Sequence, residues 1–401
     1  MKKNIYFLII FSTLSYCSLA QKDSVRQVPF GISLYAEEDS FNSKFNEDRN
    51  YTGGGAITLT GCFTNTNWFI APIFRKGIDR LIFIDKAFCR ILKSKPYITS
   101  NSFAFGLTVF TPENIGTPCI IYGDRPYASM EFMASKQIRV WKKKDGYTDK
   151  LAVHTELNIG AIGWEVGDSL QTWIHRKKIR KHPNDTTNRP LPLGWINQLS
   201  RGGEATAMYK IIIQNRIRTI YWHNKQNQDN CFYKLAELSS AEEINIGYYT
   251  NASVGLTLKL GFFNSSFWQA GTNYGSAING VVYKRKKKHN DDAAGNTGFS
   301  KDELRMDTYR NFEFYFIASA RRKVVGYNVL LQGQFRDSNY EMPANQISRT
   351  IDEFELAAVL RLWRFNFIYE PIAGRTSEIN TSFKRTHIWG AFHVSFNMPF
   401  L

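Results

Sequence analysis

The segment THIWGAFHVSFNMPF, at residues 386–400, alternates between two kinds of side chain. One face carries apolar residues and glycine: Ile388, Gly390, Phe392, Val394, Phe396, Met398 and Phe400. The other face carries mostly polar residues: His387, Trp389, Ala391, His393, Ser395 and Asn397. A period of two predicts a β-strand. A strand that crosses a membrane has about 10 residues, whereas soluble strands average about 5 or 6. We therefore expect one face in lipid and the other toward a barrel lumen.

The same alternation recurs along the chain between turns rich in Gly, Pro, Asn and Asp. The predicted strands are 29–38, 52–62, 101–110, 127–141, 150–162, 204–221, 232–248, 252–262, 311–335, 351–363, 364–372 and 386–400. A split of 311–335 into two strands would change this count. The segments that do not resemble barrel strands are 63–100, 163–203 and 263–310. For 63–100 we expect an insertion with its own hairpin. The sequence thus predicts an all-β fold, a transmembrane antiparallel up-and-down β-barrel of about 12 strands.

The amino terminus has the features of an export signal. Lys2 and Lys3 precede the apolar stretch IYFLIIFSTLSY, and SLA precedes Gln21. This order predicts that residues 1–20 are a cleaved signal peptide and that 21–401 form the barrel with long extracellular loops. No later stretch reaches the roughly 18 consecutive apolar residues of a spanning helix. The cysteines after the signal have no CxxC pair or regular spacing, which argues against a disulfide framework and a zinc site.

The charge of the chain points to an anionic partner. The net charge is +16 and the isoelectric point is about 9.5. An exported protein rarely meets nucleic acid, so we expect no nucleic acid partner. The phosphates of lipopolysaccharide in the outer membrane are the expected partner. The basic run 284–288 is expected to bind anionic headgroups.

Three polar links between predicted strands fall on one rim of such a barrel. They cover 37–55, 110–130 and the segment after 162. Glu38 and Asp39 offer hard oxygen ligands that suit Ca²⁺. His175 can act as a general base, and Thr52 precedes three glycines whose backbone amides could approach an oxyanion. The combination suits hydrolysis of an ester by activated water, although no GxSxG, HExxH or phosphate-loop motif is present.

Each of these residues also has a structural interpretation. A histidine among lysines, such as His175, is common on solvated surfaces, and acidic pairs in loops are usually solvated. In DRPYA, residues 124–128, we expect Arg125 to form an ion pair and Pro126 to fix a turn.

Taken in order, the three links resemble a known family. EEDSF with DRNYTGG, FTPENI with DRPYAS, and LQTWIH with GWINQL resemble the motifs of the lipid A deacylase family. That family consists of outer-membrane barrels of about twelve strands that remove the 3'-linked acyloxyacyl chain of lipid A with the help of calcium. The resemblance implies that His175 activates water, that Asp39 contributes to the calcium site, and that Thr52 belongs to the catalytic group.

Two positions depart from the family pattern. Glu38 stands where the family has an asparagine, which would make it a second carboxylate ligand beside Asp39. The functional lysine expected after FTP is missing, because 111–124 contain no lysine. Arg49 or Arg125 would then supply the cation for the substrate, and Arg49 is preferred because Arg125 belongs to a structural turn. The alternatives are a non-catalytic lipopolysaccharide-binding barrel with a decayed site and an outer-membrane phospholipase.

Overall fold

The computed structural model describes residues 26–27, 30–38, 41, 50–61, 64, 70–142, 149–177, 191–222, 233–269 and 312–397. A short strand, β1 (Arg26–Gln27), pairs in parallel with β4. The barrel strands are β2 (Gly31–Glu38), β3 (Asn50–Thr60), β4 (Ile98–Thr111), β5 (Ala128–Lys142), β6 (Asp149–Ile162), β7 (Glu204–Trp222), β8 (Tyr233–Gly247), β9 (Tyr249–Phe263), β10 (Phe312–Asn328), β11 (Thr350–Leu362), β12 (Phe365–Arg375) and β13 (His387–Asn397). The helices are α1 (Ile70–Leu81), α2 (Ile84–Leu92), α3 (Val166–Lys177) and α4 (Val329–Gln332), with 3-10 helices at Gly194–Asn197 and Ala344–Gln346.

The predicted barrel is confirmed. Strands β2 to β13 pair antiparallel in chain order, and β13 pairs with β2 to close a barrel of 12 strands. The segment 311–335 contains one strand, β10, followed by the short helix α4. The predicted signal peptide and the basic run 284–288 lie outside the described residues.

The alternation in the last strand corresponds to the two faces of the barrel wall. On β13, His393 and Ser395 are buried, while Phe392, which points to the opposite face, is 43% exposed. Side chains of several strands meet inside the barrel around a cavity of about 200 Å³. Its charged residues pair across strands. Lys323 Nζ on β10 lies 2.6 Å from Glu353 Oε1 on the neighbouring β11, and Arg321 Nη1 on β10 lies 3.3 Å from Glu243 Oε2 on β8, two strands away. The polar face therefore points to the lumen, and the opposite face, here called the outward face, is apolar.

The expectation for residues 63–100 was wrong in part. The described residues between β3 and β4 form no strand hairpin, but two helices, α1 and α2, joined by a short turn. Both helices pack on the outward face of the wall: Arg75 of α1 contacts Ser135 on β5, and Ile84 of α2 clusters with Trp141 and Val153. The segment has apolar residues on the side away from the wall as well, so its apolar spacing resembled alternation.

The links after β2, β4 and β6 share one end of the barrel, called the loop rim below, and α1 and α2 belong to the link at the opposite rim. Among the described residues no helix is long and apolar enough to cross a membrane.

Candidate functional site

Four neighbouring strands place one residue each in a row on the outward face at the loop rim. Glu38 on β2 pairs with Gly53 on β3, Gly53 pairs with Val109 on β4, and Val109 pairs with Ser129 on β5. Directly paired residues lie on the same face of a sheet. Phe105, on the same face of β4 as Val109, is 47% exposed, which identifies the face as outward. We call these four residues the outward row.

Helix α3 lies against this row. Gly167, Gln171 and His175 are its buried residues, and their spacing of four positions puts them on one face. A Cβ on Gly167 would come within 2.6 Å of the Ser129 Cβ, so the helix backbone touches β5 at this glycine. The helix contacts both β5 and β4. It therefore runs from the end of β6 across β5 toward β4, over the outward row.

His175 is buried at the far end of this helix. Its side chain is only 5% exposed, although its segment is rich in cations. With a rise of about 1.5 Å per residue, it lies about 12 Å beyond Gly167 along the axis. The interpretation of His175 as a solvated surface residue does not hold, because it lies on the buried face of α3 with Gly167 and Gln171.

The helix is fixed by residues of the following link. Trp195 Nε1 donates a hydrogen bond to Gln171 Oε1 at 2.8 Å, and the Trp195 ring packs on Tyr127 with 4.9 Å between centroids. Tyr127 in turn donates to the backbone oxygen of Ile115 at 3.1 Å. Burial of the Tyr127 hydroxyl raises its pKa, so it stays a neutral donor. These contacts join the second and third links into one support for α3.

The Gln171 side chain was not singled out from the sequence. Its Nε2 is buried and has no hydrogen-bond partner within the described part of the chain. A buried polar group without a partner is costly, so such groups often serve a ligand. Gln171 lies one turn before His175, and this spacing in LQTWIH was the only signal available in the sequence.

Between Glu38 and α3, the outward face of the wall is formed by glycines of β3. Gly53 and Gly55 alternate on the outward face of β3, so this strand presents backbone rather than side chains there. Glu38 and Val109 are two interstrand spacings apart, about 10 Å. The register between β3 and β4 shifts between Tyr51 and Gly53, which makes Thr52 the extra residue of a β-bulge. Bulges frequently occur beside active sites because they redirect a side chain or an amide.

The remaining predicted residues are distributed as follows. Asp39 and Arg49 lie outside the described residues, and so does the Thr52 side chain. Within the described residues, no three His, Cys, Asp or Glu side chains converge on a point that could hold a metal. Glu38 is half-buried on the outward row at the end of β2, and Asp39 follows it in the chain. Hard carboxylate oxygens at this strand end fit Ca²⁺ in chemistry.

Arg125 lies elsewhere. Its Nη1 pairs with Glu378 Oε2 at 2.9 Å, and its guanidinium stacks 4.1 Å from the centroid of Phe110, whose side chain belongs to the lumen-side core. Burial lowers the pKa of Arg125 to about 10, so it remains charged at neutral pH. The expected ion pair is present, and it directs Arg125 away from the outward row.

Apolar side chains surround α3 on its exposed side. Trp164, Leu170, Trp173 and Ile196 are all more than 40% exposed. They continue the apolar outward face of the barrel up to the loop rim. The site is therefore open toward the membrane rather than toward the lumen.

Comparison with known proteins identifies a family and a similar fold. The family profile described as "Outer membrane protein LpxR" matches residues 6–398. The structure of LpxR from Salmonella typhimurium superposes with a TM-score of 0.57 at 15% identity, covering 92% of this chain and 100% of that chain, and this likeness bears on the fold. The translocator domain of autotransporter NalP from Neisseria meningitidis gives a TM-score of 0.30 at 8% identity, with 99% and 97% coverage, and supports no argument. A search among curated proteins finds no match.

Proposed function

Since this chain belongs to the LpxR family of outer-membrane proteins, we propose that it is a hydrolase that removes an ester-linked acyl chain from lipid A. His175 is the general base in this proposal, and Ca²⁺ assists. The observation that carries it is the burial of His175 on α3, which lies against β5 and β4 beside the outward row that also contains Glu38. A lipid in the outer leaflet meets the barrel on this face.

The reaction is the addition of water to an ester carbonyl. The His175 imidazole takes a proton from water as its oxygen bonds to the carbonyl carbon. When the bond to the alcohol oxygen breaks, the imidazolium returns the proton to that oxygen, so a carboxylic acid and an alcohol leave. The barrier depends on donors to the oxyanion that forms in between. Within the described residues, Gln171 Nε2 on α3 and the backbone amides at the Thr52 bulge are the candidate donors at the loop rim.

Glu38 and Asp39 would hold the calcium ion. A calcium ion held by these carboxylates would supply Lewis-acid stabilisation of the negative charge on the carbonyl oxygen. Two adjacent carboxylates repel each other unless a cation lies between them. The glutamate at position 38 is therefore expected to tighten the calcium site relative to an asparagine.

The apolar side chains around α3 suit the acyl part of the substrate. Leu170 and Trp173 lie on the exposed side of the same helix whose buried side carries His175. An acyl chain that stays in the leaflet can pass along this side while its ester reaches the outward surface of β3 at Gly53. The phosphate of the substrate would then need a cation at the loop rim, for which Arg49 is the candidate.

Mass spectrometry of lipid A tests the activity directly. Cells with the gene are expected to lose the mass of a hydroxyacyl group with its secondary acyl chain, and cells that carry His175→Ala are expected to keep it. His175→Ala should lower hydrolysis by roughly 10² to 10⁴ while the barrel still inserts, because that is the usual contribution of general acid–base catalysis. His182→Ala, in the same basic segment, is the control and should retain activity.

Other outcomes would support the alternatives. Unchanged lipids in the presence of the protein would indicate a lipopolysaccharide-binding barrel with a decayed site. Lysophospholipid without any change in lipid A would indicate a phospholipase. Equal loss from His182→Ala would show that His175 is not the base.

A further inference from the structure

One region of the outward face, over β5 and β6, is polar. On β5 the outward positions near the opposite rim hold Ser135, Gln137 and Arg139, alternating with Lys136, which lines the lumen cavity. Gln137 pairs with Thr155 on β6, which places Thr155 on the same face. The outward wall of a membrane barrel is normally apolar at this depth. Left in lipid, these side chains would lack hydrogen-bond partners.

Helix α1 covers this polar patch with charges of its own. Asp79 Oδ2 lies 2.7 Å from Arg75 Nη1 and 2.7 Å from Arg139 Nη2. Tyr209 on β7 donates to the other oxygen of Asp79 at 2.5 Å, and Asp85 lies 2.5 Å from Arg139 Nε. Two guanidinium groups thus meet two carboxylates. The cluster has no net charge, which is the condition under which charges are tolerated away from water.

Helix α2 continues the cover with apolar contacts. Ile84, Phe88 and Leu92 pack against Trp141 and Val153 on the same outward face. The Trp141 Nε1 donates to the backbone oxygen of Ser94 at 3.2 Å, just after the helix ends. The two helices are therefore built into the outside of the wall over β5, β6 and β7.

The side of the hairpin that faces away from the wall is apolar and basic. Ile73, Phe74, Leu81, Phe83 and Ile91 are between 46% and 76% exposed. Arg80, Lys86, Arg90, Lys93 and Lys95 are also exposed. An apolar surface with cations beside it is the composition of helices that lie in the interface of a membrane with anionic lipids.

The position along the wall agrees with that composition. Ser135, which Arg75 contacts, is six residues beyond Ser129 of the outward row on β5. Six residues of strand cover about 20 Å, or about 15 Å along the barrel axis at a tilt of about 40°. The lipid-facing band of a barrel is about 25 Å tall. The hairpin thus begins inside this band and continues toward the opposite rim, next to the exposed apolar wall residues Ile57 and Phe105.

We propose that α1 and α2 form a membrane-embedded hairpin in the leaflet at the opposite rim. Its apolar side contacts the acyl chains of phospholipids, and its exposed cations contact their phosphates. A second protein is the alternative occupant of this exposed surface. The continuity with the lipid-facing wall and the excess of cations favour phospholipid. The hairpin lies over a different region of the wall from the candidate site, so its place in the membrane does not depend on whether the chain hydrolyses lipid A.

Collision accessibility of a nitroxide label tests the proposal. The barrel is placed in nanodiscs of phosphatidylethanolamine and phosphatidylglycerol, with Cys62, Cys89, Cys119 and Cys231 replaced by alanine. The label is attached at Phe74→Cys on α1. Phe105→Cys on the exposed wall is the lipid control, and Phe335→Cys, at 87% exposure in the loop between β10 and β11, is the water control. Heat-modifiable gel mobility shows that each variant is folded.

We expect the label at Phe74→Cys to collide with oxygen far more than with a water-soluble nickel chelate, as at Phe105→Cys. A ratio like that at Phe335→Cys would place the hairpin in water and overturn the proposal. Low collision with both reagents would show that protein covers the hairpin, which also overturns it.

Discussion

At the scale of single residues, burial distinguishes His175 and Gln171 from the other described polar residues of α3. The sequence indicated this histidine through the resemblance of LQTWIH to a family motif. It could not indicate the burial, because the helix and the wall it packs against come from distant parts of the chain. Gln171 was missed for a related reason: an amide has no titration or ligand signature in a sequence. Only the structure shows that its Nε2 lacks a partner among the described residues.

Gln171 offers a test of the oxyanion site. Gln171→Glu keeps an oxygen that can accept from Trp195 but removes the Nε2 donor. We expect hydrolysis to fall by about 10² to 10³, the usual effect of losing one oxyanion donor, with an unchanged fold. Trp195→Phe is the matched control, because it removes the 2.8 Å hydrogen bond to Oε1 and leaves Nε2 in place. Equal loss of activity in both variants, measured as kcat on purified lipid A, would mean that Gln171 acts only by holding α3.

The Arg125–Glu378 ion pair is expected to stabilise the fold without taking part in hydrolysis. Glu378→Gln leaves the buried Arg125 without its counter-charge, and breaking a buried pair in this way costs about 3–5 kcal/mol. We expect a lower urea midpoint of barrel unfolding and retained hydrolysis in the folded fraction. Asp352→Asn is the control, because its pair with Arg322 is exposed and should matter little. A normal midpoint for Glu378→Gln would contradict a structural role for this pair.

At the scale of elements, the strands could be predicted and the helical hairpin could not. Alternation identifies strands such as β13 because one of their faces is polar and the other is apolar. Helices α1 and α2 invert the usual pattern of a soluble helix. Arg75 and Asp79 are on the buried side, while Phe74 and Leu81 are exposed. No local rule predicts that side, since it depends on the polar residues that three strands present beneath the helix.

The charge balance under α1 predicts an unequal effect of two similar substitutions. Asp79→Asn and Asp85→Asn each remove one carboxylate and leave the cluster with an excess positive charge. Asp79 is 5% exposed and contacts both guanidinium groups, whereas the Asp85 side chain is 61% exposed. We therefore expect Asp79→Asn to reduce the heat-modifiable fraction in the outer membrane strongly and Asp85→Asn only slightly. Equal effects would show that the burial of Asp79 does not decide the stability of this wall.

At the scale of the whole molecule, the candidate site and the helical hairpin lie at opposite rims of the barrel wall. The candidate site occupies the loop rim over β2 to β5, and the hairpin occupies the opposite rim over β5 to β7. The period of two along the sequence was sufficient to predict the closed barrel, and the motifs of the three links indicated its outer-membrane family. In the proposed function, activity depends on Asp39 and Arg49 in the first link and on the two departures from the family pattern, which alternation does not address.

Calcium binding tests whether the first link forms a metal site. We expect isothermal calorimetry on the detergent-purified barrel to show Ca²⁺ binding that is weakened by Glu38→Gln, because the variant removes one of two adjacent carboxylates. Asp352→Asn, whose carboxylate is exposed on β11, is the control for non-specific binding. Removal of calcium by a chelator should abolish hydrolysis. Binding that is the same in the wild type and in Glu38→Gln would contradict the proposed ligand.

The missing lysine raises the question of whether another cation replaces it or the site is inactive. Without that cation, the substrate phosphate or the oxyanion loses a donor, unless Arg49 supplies it. Thr117 lies near the family position of the lysine, in the link between β4 and β5, and its hydroxyl accepts only a local bond from the backbone N–H of Cys119 at 3.1 Å. Thr117→Lys should therefore be tolerated. If the wild type hydrolyses lipid A and Arg49→Ala lowers the rate by about 10-fold or more, the loss of at least 1.4 kcal/mol of transition-state stabilisation assigns the cation to Arg49. A wild type that is inactive but gains activity with Thr117→Lys would show a decayed site, and lipopolysaccharide binding would then be the preferred function.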